Sequence, residues 1–324
     1  MSASVSFGST SLPAEQQDAL RRAKRLEITT IVILVFTVTL MFLVMGNSQA
    51  MRAAWIEDML SFLPPIAFLV AARVVRRPPD DSHPWGYHRA TGAGHLASAI
   101  ALLVMGGFLL FESISTLVLA EHPTIGTVTL FGTTVWLGWI MMATLVITSI
   151  PPMILGRLKL GLADTLHDKV LYADADMNKA DWTTALGGTL GVLGIGLGLW
   201  WADAAVAMFI GAGILHDGVR NVRTSVRGLL DREAMTYDDT ERHPVIEGLR
   251  TFFAGLPWVQ EFELRVRDQG HVFHAEVFVV PRGGAVDVRT LQDAAEEARR
   301  LDWKLEDLAV IPVPSLRQVG GGGE

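Results

Sequence analysis

The sequence contains no cysteine. That absence excludes disulfides, thiolate metal sites and a cysteine nucleophile, and it turns any metal chemistry away from soft ions. Positive charge is also short. Against 34 Asp and Glu there are 27 Lys and Arg, and the net charge of −7 arises largely beyond Asp231, which argues against nucleic acid as a partner of that region. No Ser–His pair lies at a plausible membrane depth, so a membrane enzyme would lack a nucleophile with a partnered base. Charged residues make up 19% of the chain and hydrophobic ones 50%, with a mean hydropathy of +0.35. Soluble domains of this length seldom average positive, so the excess apolar residues need lipid to face.

What the chain does have is a series of apolar runs of about the 20 residues that span a bilayer. The first covers Ile28 to Met45 and follows the basic stretch Arg21, Arg22, Lys24 and Arg25, in the manner of a signal anchor. Others cover Trp55 to Val75, Gly94 to Leu119 and Val128 to Ile154, and two more fill Ala180 to Val222 on either side of Trp200, Trp201, Ala202 and Asp203. Lys and Arg collect in alternate connections: the N-terminal segment, the loop with Arg73, Arg76, Arg77 and Arg89, the loop with Arg157, Lys159 and Lys169, and the segment after Arg220. Short loops rich in these residues stay cytoplasmic, so both termini are expected inside a cell (inner) membrane.

Beyond Leu230 the apolar runs shorten. His243 to Phe253 reads as an amphipathic helix, Glu261 to Arg267 and His271 to Val280 as strands, Val286 to Leu301 as a helix and Leu308 to Val313 as a last strand. The expected fold is a polytopic α-helical membrane protein of about six transmembrane helices with a small cytoplasmic α+β domain of αββαβ, ferredoxin-like order. The divisions are a cytoplasmic segment 1–26, a membrane domain 27–230, the α+β domain 231–317 and a disordered glycine-rich tail 318–324.

An ionisable group inside a membrane helix costs about 2.5 to 3.5 kcal/mol on insertion scales and asks for an explanation. In the second helix Glu57, Asp58 and Ser61 precede Pro64 and Pro65, with Glu57 and Ser61 four apart on one face. In the fifth, Asp174, Asn178 and Asp181 follow the i, i+4, i+7 spacing of a single stripe. Two oxygen-rich stripes could build one cage for a hard or borderline divalent ion; the plainer reading is that Glu57 and Asp174 sit near the interfaces and meet water. His95 and His216 near helix ends, and the surface pair His271 and His274, read as structural. The glycines from Gly187 to Gly198 read as a close-packing surface.

Several segments together resemble the cation diffusion facilitators. The loop Asp80-Asp81-Ser82-His83-Pro84-Trp85-Gly86-Tyr87-His88-Arg89-Ala90 is similar to that family's HPFGxGRAE loop, Trp201-Ala202-Asp203-Ala204 to its WADP turn, and Gly228-Leu229-Leu230-Asp231 to its LLD ending. The resemblance implies a homodimeric, proton-coupled exporter of manganese, iron(II) or zinc, with no permanently bound cofactor and no nucleic acid partner. It puts the transport ligands at Glu57 and Ser61 and at Met177 and Asp181. Ser61 and Met177 stand where zinc members carry stronger ligands, and no histidine lies in either stripe. Asp58, Asp174 or Asn178 could supply the missing oxygens and favour manganese, magnesium or iron(II); alternatively the chain is a sensor or a carrier of another cation. The resemblance further implies a loop metal site at Asp80 and His83, with Tyr87 in place of its next ligand, and a dimer-locking ion pair between Arg89 and Asp231. The family's regulatory metal positions in the tail fall on Phe262, Val277, Ile311 and Val313, which cannot ligate.

Overall fold

Long apolar runs bounded by helix formers become long helices here, in a computed structural model that describes residues 12–44, 55, 58–122, 125–130, 132–270 and 272–318. Helix α1 spans Ala14–Val44, α2 Leu63–Val74, α3 Ala90–Val118, α4 Leu137–Leu166, α5 Lys169–Gly196 and α6 Ala202–Leu229. Among the described residues α3, α4 and α6 are long and apolar enough to cross a membrane. Helix α5 carries its polar stripe through the same length, and that lowers its average hydropathy. Phe36, Phe111 and Phe209 are exposed on the outside of this unit, as lipid-facing residues are.

Two expectations change. The run beginning at Val128 does not start as a helix. Thr127–Leu130 (β1) and Thr133–Trp136 (β2) pair as an antiparallel hairpin, with Gly132 at φ +83° in the turn, and α4 begins only at Leu137. Alternating Thr and Val suit a strand better than a helix. At its other end α4 runs on through Pro151 and Pro152 to Leu166, so Arg157 and Lys159 belong to a helix and not to a loop. The α4–α5 connection is only His167 and Asp168: His167 ends α4 in the left-handed conformation (φ 46°), and the Asp168 carboxylate accepts from the amides of Val170 and Leu171 to start α5. So short a turn holds α4 and α5 antiparallel along their length.

Helix α2 is interrupted. Residues 58–60 are helical, Ser61 and Phe62 form a turn, and the helix resumes at Leu63. Pro64 and Pro65 have no N–H, so the carbonyls of Leu60 and Ser61 lose the donors a continuous helix would give them. Helix α3 packs against α6 with glycine at the crossings: a Cβ on Gly106 would lie 2.7 Å from the Leu215 Cα, and one on Gly218 2.6 Å from the Leu103 Cα. The glycines of α5 serve packing too, since a Cβ on Gly187 would meet Ile210 and one on Gly194 would meet Ala202.

The polar half folds in the order α7 (Pro244–Gly255), β3 (Val259–Asp268), β4 (Phe273–Pro281), α8 (Val288–Arg299), β5 (Asp307–Pro312), with a 3-10 turn at Leu316–Gln318. Strand β3 is antiparallel to β4, and β5 returns parallel to β4 after α8. Leu249 and Phe253 of α7, Leu264 and Val266 of β3, Val277 and Val279 of β4 and Ala298 of α8 close one apolar core. The expectation for the tail beyond Gln318, like those for Glu57 and His271, falls outside the described residues.

Candidate functional site

The break in α2 faces the polar stripe of α5. Ser61 Oγ donates to Asp181 Oδ1 at 2.8 Å, and Ser61 is almost wholly buried. Asp58, one turn earlier, stands within electrostatic range of Asp181. Among the described residues no group hydrogen-bonds its buried Oδ2, nor the buried hydroxyl oxygen of Thr184, which continues the α5 stripe one turn past Asp181. Unpaired buried oxygens are costly and native proteins rarely keep them idle. The structure thus brings Asp58, Ser61 and Asp181 together. Met177 is buried beside them among Leu60, Leu102, Met105 and Ile214, in apolar packing.

Asp174 is engaged elsewhere. Its Oδ2 lies 2.6 Å from Lys159 Nζ, and its Oδ1 accepts from Asn178 Nδ2 at 3.3 Å, while the same amide donates to the Asp174 carbonyl at 2.8 Å. Lys159 also pairs with Glu27 of α1 at 2.9 Å, and all three side chains are sealed, at 0%, 0% and 1% exposure for Lys159, Glu27 and Asp174. Charge patterning places Lys159 in a loop and gives no signal for Glu27, which stands directly before the first apolar run. A second buried network escapes the sequence as well. His95 of α3 meets Asn221 of α6 at 3.4 Å, and Asn221 donates to Asp176 of α5 at 3.0 Å. Only the helix periodicity of three separated segments, taken together, carries that signal.

In the loop, His83 Nδ1 lies 3.3 Å from Asp80 Oδ1, and the His83 ring stacks on Tyr87. The Asp80 carboxylate is already occupied. Hydrogen bonds from the Tyr87 hydroxyl, the Ser82 side chain and the His83 amide hold its pKa well below the usual carboxylate range. Arg89 pairs with Asp231 and donates to the Leu229 carbonyl within one chain, and Arg267 reaches the same Asp231 carboxylate at 3.2 Å. His274 is not the surface residue expected: it is nearly buried, with Nδ1 2.7 Å from Asp307 Oδ2, and that hydrogen bond raises its pKa. The β4–β5 register sets His274 opposite Asp307, a pairing that sequence spacing does not reveal.

The two halves meet at His167. Buried Lys304 Nζ donates to His167 Nδ1 at 2.8 Å and to the Gly270 carbonyl at 2.9 Å, and lies 3.4 Å from Asp268; His167 Nε2 lies 2.9 Å from the Met235 carbonyl. An ammonium on Nδ1 requires the neutral imidazole with its proton on Nε2. Burial first, and the Lys304 charge second, hold the His167 pKa well below its ordinary value. Burial works to raise the Asp268 pKa, but the Lys304 and Lys169 charges overcome it and hold the carboxyl well below the usual range. A group kept neutral in the docked state binds fewer protons there than when released, so docking is favoured above the free imidazole value near 6.5 and weakens as pH falls below it. His243, packed edge-on to His167, is lowered too and adds the same sign. The expected outcome is that amide protection factors around Met235 fall between about pH 7.5 and 5.5. In His167→Gln, a neutral side chain able to keep both bonds, most of that dependence should vanish; an unchanged dependence would place the titration elsewhere.

Comparison with known proteins agrees with this architecture. The family described as the cation efflux transmembrane domain matches residues 28–230. The manganese efflux system protein MneS of Bacillus subtilis is 22% identical over 292 residues, covering 88% of this chain and 92% of that protein. The cation-efflux pump FieF of Shigella flexneri is 27% identical over 231 residues, 69% of each chain. Since the domain match spans well over half of the sequence, the chain belongs to the cation diffusion facilitator family of transmembrane transporters that expel metal cations.

Proposed function

We propose that this protein exports a divalent metal ion, manganese foremost, from the cytoplasm in exchange for protons, through a carboxylate site between α2 and α5. The observation that carries the reading is the buried Oδ2 of Asp58, which has no hydrogen-bond partner among the described residues, beside an Asp181 already oriented by Ser61. Glu57 completes the set in this reading. Oxygen donors without thiolate or imidazole suit manganese, magnesium or iron(II) better than zinc. A relative named for manganese efflux supports the same choice.

The mechanism follows from charge in a low-dielectric site. Clustered carboxylates there hold either protons or a divalent cation, so metal arriving from the cytoplasm releases protons, and protons arriving from outside release metal. Rocking of helices that opens the site alternately to each side makes this competition an antiport. In this reading six helices cross the inner membrane with both termini inside, and two copies pair as a homodimer in which Arg89 and Asp231 brace the cytoplasmic surface. The site residues are Glu57, Asp58, Ser61 and Asp181; Asp174, Asn178 and Met177 border it. A second reading, a carrier of another cation or a sensor, draws on the neutral Ser61 and the apolar setting of Met177.

The test is uptake of manganese, iron(II), zinc, cobalt and magnesium into proteoliposomes of known orientation, with and without an imposed pH gradient. Manganese uptake that follows the gradient is expected. Flat traces for every metal from folded protein would overturn the transport reading, and uptake of another ion alone would replace manganese.

A further inference from the structure

Lys159 is a fully buried ammonium with two fully buried carboxylates, one from α1 and one from α5. Its position follows from the fold. The short His167–Asp168 turn sets α4 and α5 antiparallel, so a residue two turns before the end of α4 meets a residue a little more than one turn into α5. Asp174 occupies that place, on the same α5 stripe as Asp181 and seven residues before it, about 10 Å along the helix axis. The cluster therefore lies between the α4–α5 turn and the Asp58–Ser61–Asp181 group.

Burying three charges is expensive, and a purely structural contact of this size is usually replaceable by apolar packing. The arrangement here has a further effect. Lys159 and Asn178 each donate to one oxygen of Asp174, so that carboxylate faces an ion with a cation already bound to it. A divalent cation approaching it would meet a fixed positive charge at contact distance. Affinity of an oxygen cage rises with the number of its carboxylates, and release slows accordingly.

We propose that Lys159 is a specificity-determining positioning residue: a tethered monocation that removes Asp174 from the metal's ligand set and so keeps the transport site weak enough to release its ion. The inference rests on the transport reading above and concerns a residue outside the site itself. It separates two roles for Asp174, as a ligand held in reserve and as a ligand in use. Lysine serves here because its compact charge sits on a flexible stem and saturates the cluster without filling the cage.

The experiment compares wild-type protein with Lys159→Met combined with Glu27→Gln, in proteoliposomes, with manganese as the probe. The pair of substitutions removes one positive and one negative charge together, so the cluster keeps its formal charge and loses only the competitor. The expected result is a KM lowered about tenfold with kcat lowered as well, the signature of a tighter site with slower release. A KM within about twofold of wild type, accompanied only by a lower melting temperature, would show a structural clamp and overturn the proposal. A raised KM would overturn it too, by making Lys159 an assembler of the site. Should the double variant fail to give monodisperse protein, Lys159→Gln, whose amide still donates to one carboxylate, is read by the same criteria. Failure of the wild-type protein to transport any metal would refute the transport reading instead, so the two failures are distinguishable.

Discussion

Asp181→Asn is expected to lower kcat/KM for manganese uptake by about 100-fold or more, because groups that merely orient a metal ligand already cost about 10- to 100-fold in affinity when lost. The change is nearly isosteric, and the new amide carbonyl could still accept from Ser61, so the helix contact seen in the wild type survives. On the proposed reading, what disappears is the negative charge that would bind the cation and the basic oxygen that would take a proton in its place. Both halves of the exchange should therefore suffer, and the residual flux should respond weakly to an imposed pH gradient. Glu112→Gln, a carboxylate on α3 away from the α2–α5 contact, serves as the control for simple loss of charge from the membrane unit. Asp181→Asn with activity close to that of the wild type would mean that the ion passes elsewhere.

Gly106→Val is expected to prevent the protein from folding into a monodisperse species, or to lower its melting temperature sharply. The added Cβ would sit against the Leu215 nitrogen and 2.7 Å from its Cα, atoms of a helix backbone that no rotamer change can move aside. Relief requires α3 and α6 to separate. Overpacking typically costs about 1–3 kcal/mol where side chains can yield, and here they cannot, so the loss should exceed that range. Gly213→Val on α6 is the matched control, since a Cβ there meets nothing within 4 Å. Thermal unfolding in detergent checks the pair; equal melting temperatures would deny the close crossing.

Much of this is legible in the sequence because the bilayer writes plainly. The run from Gly94 to Leu119 becomes α3 with little shift in its bounds, and the order of elements in the polar half is readable from alternation and turns; the last apolar run, read to Val222, continues as α6 to Leu229. What hydropathy hides is where a helix keeps going after its lipid-facing run ends. Helix α4 continues past Ile154 through Arg157 and Lys159 because those cations lie on a helix that is still packed, and Lys159 finds its partners on two other helices. The strands at Thr127 and Thr133 merge into an apolar run because Val, Leu and Trp count the same in either conformation. At the site, spacing shows that Asp174, Asn178 and Asp181 share a face. It offers no means of knowing that a lysine fifteen residues before Asp174 already holds that carboxylate, nor that the chain breaks at Ser61.

The contrast between the two kinds of helix contact divides the membrane unit by what it responds to. Where α3 crosses α6 at Gly106 and Gly218, backbone touches backbone, and van der Waals contact of that sort is indifferent to pH, salt and metal. Where α1, α4 and α5 meet, a buried ionic cluster sits beside apolar packing, and a change in the charge nearby alters that ionic part. In the proposed exchange, a change in bound charge would therefore act directly on the ionic contact, while the crossings at Gly106 and Gly218 offer it no charged group. For the helix rocking proposed above, the glycine seam would be the fixed frame.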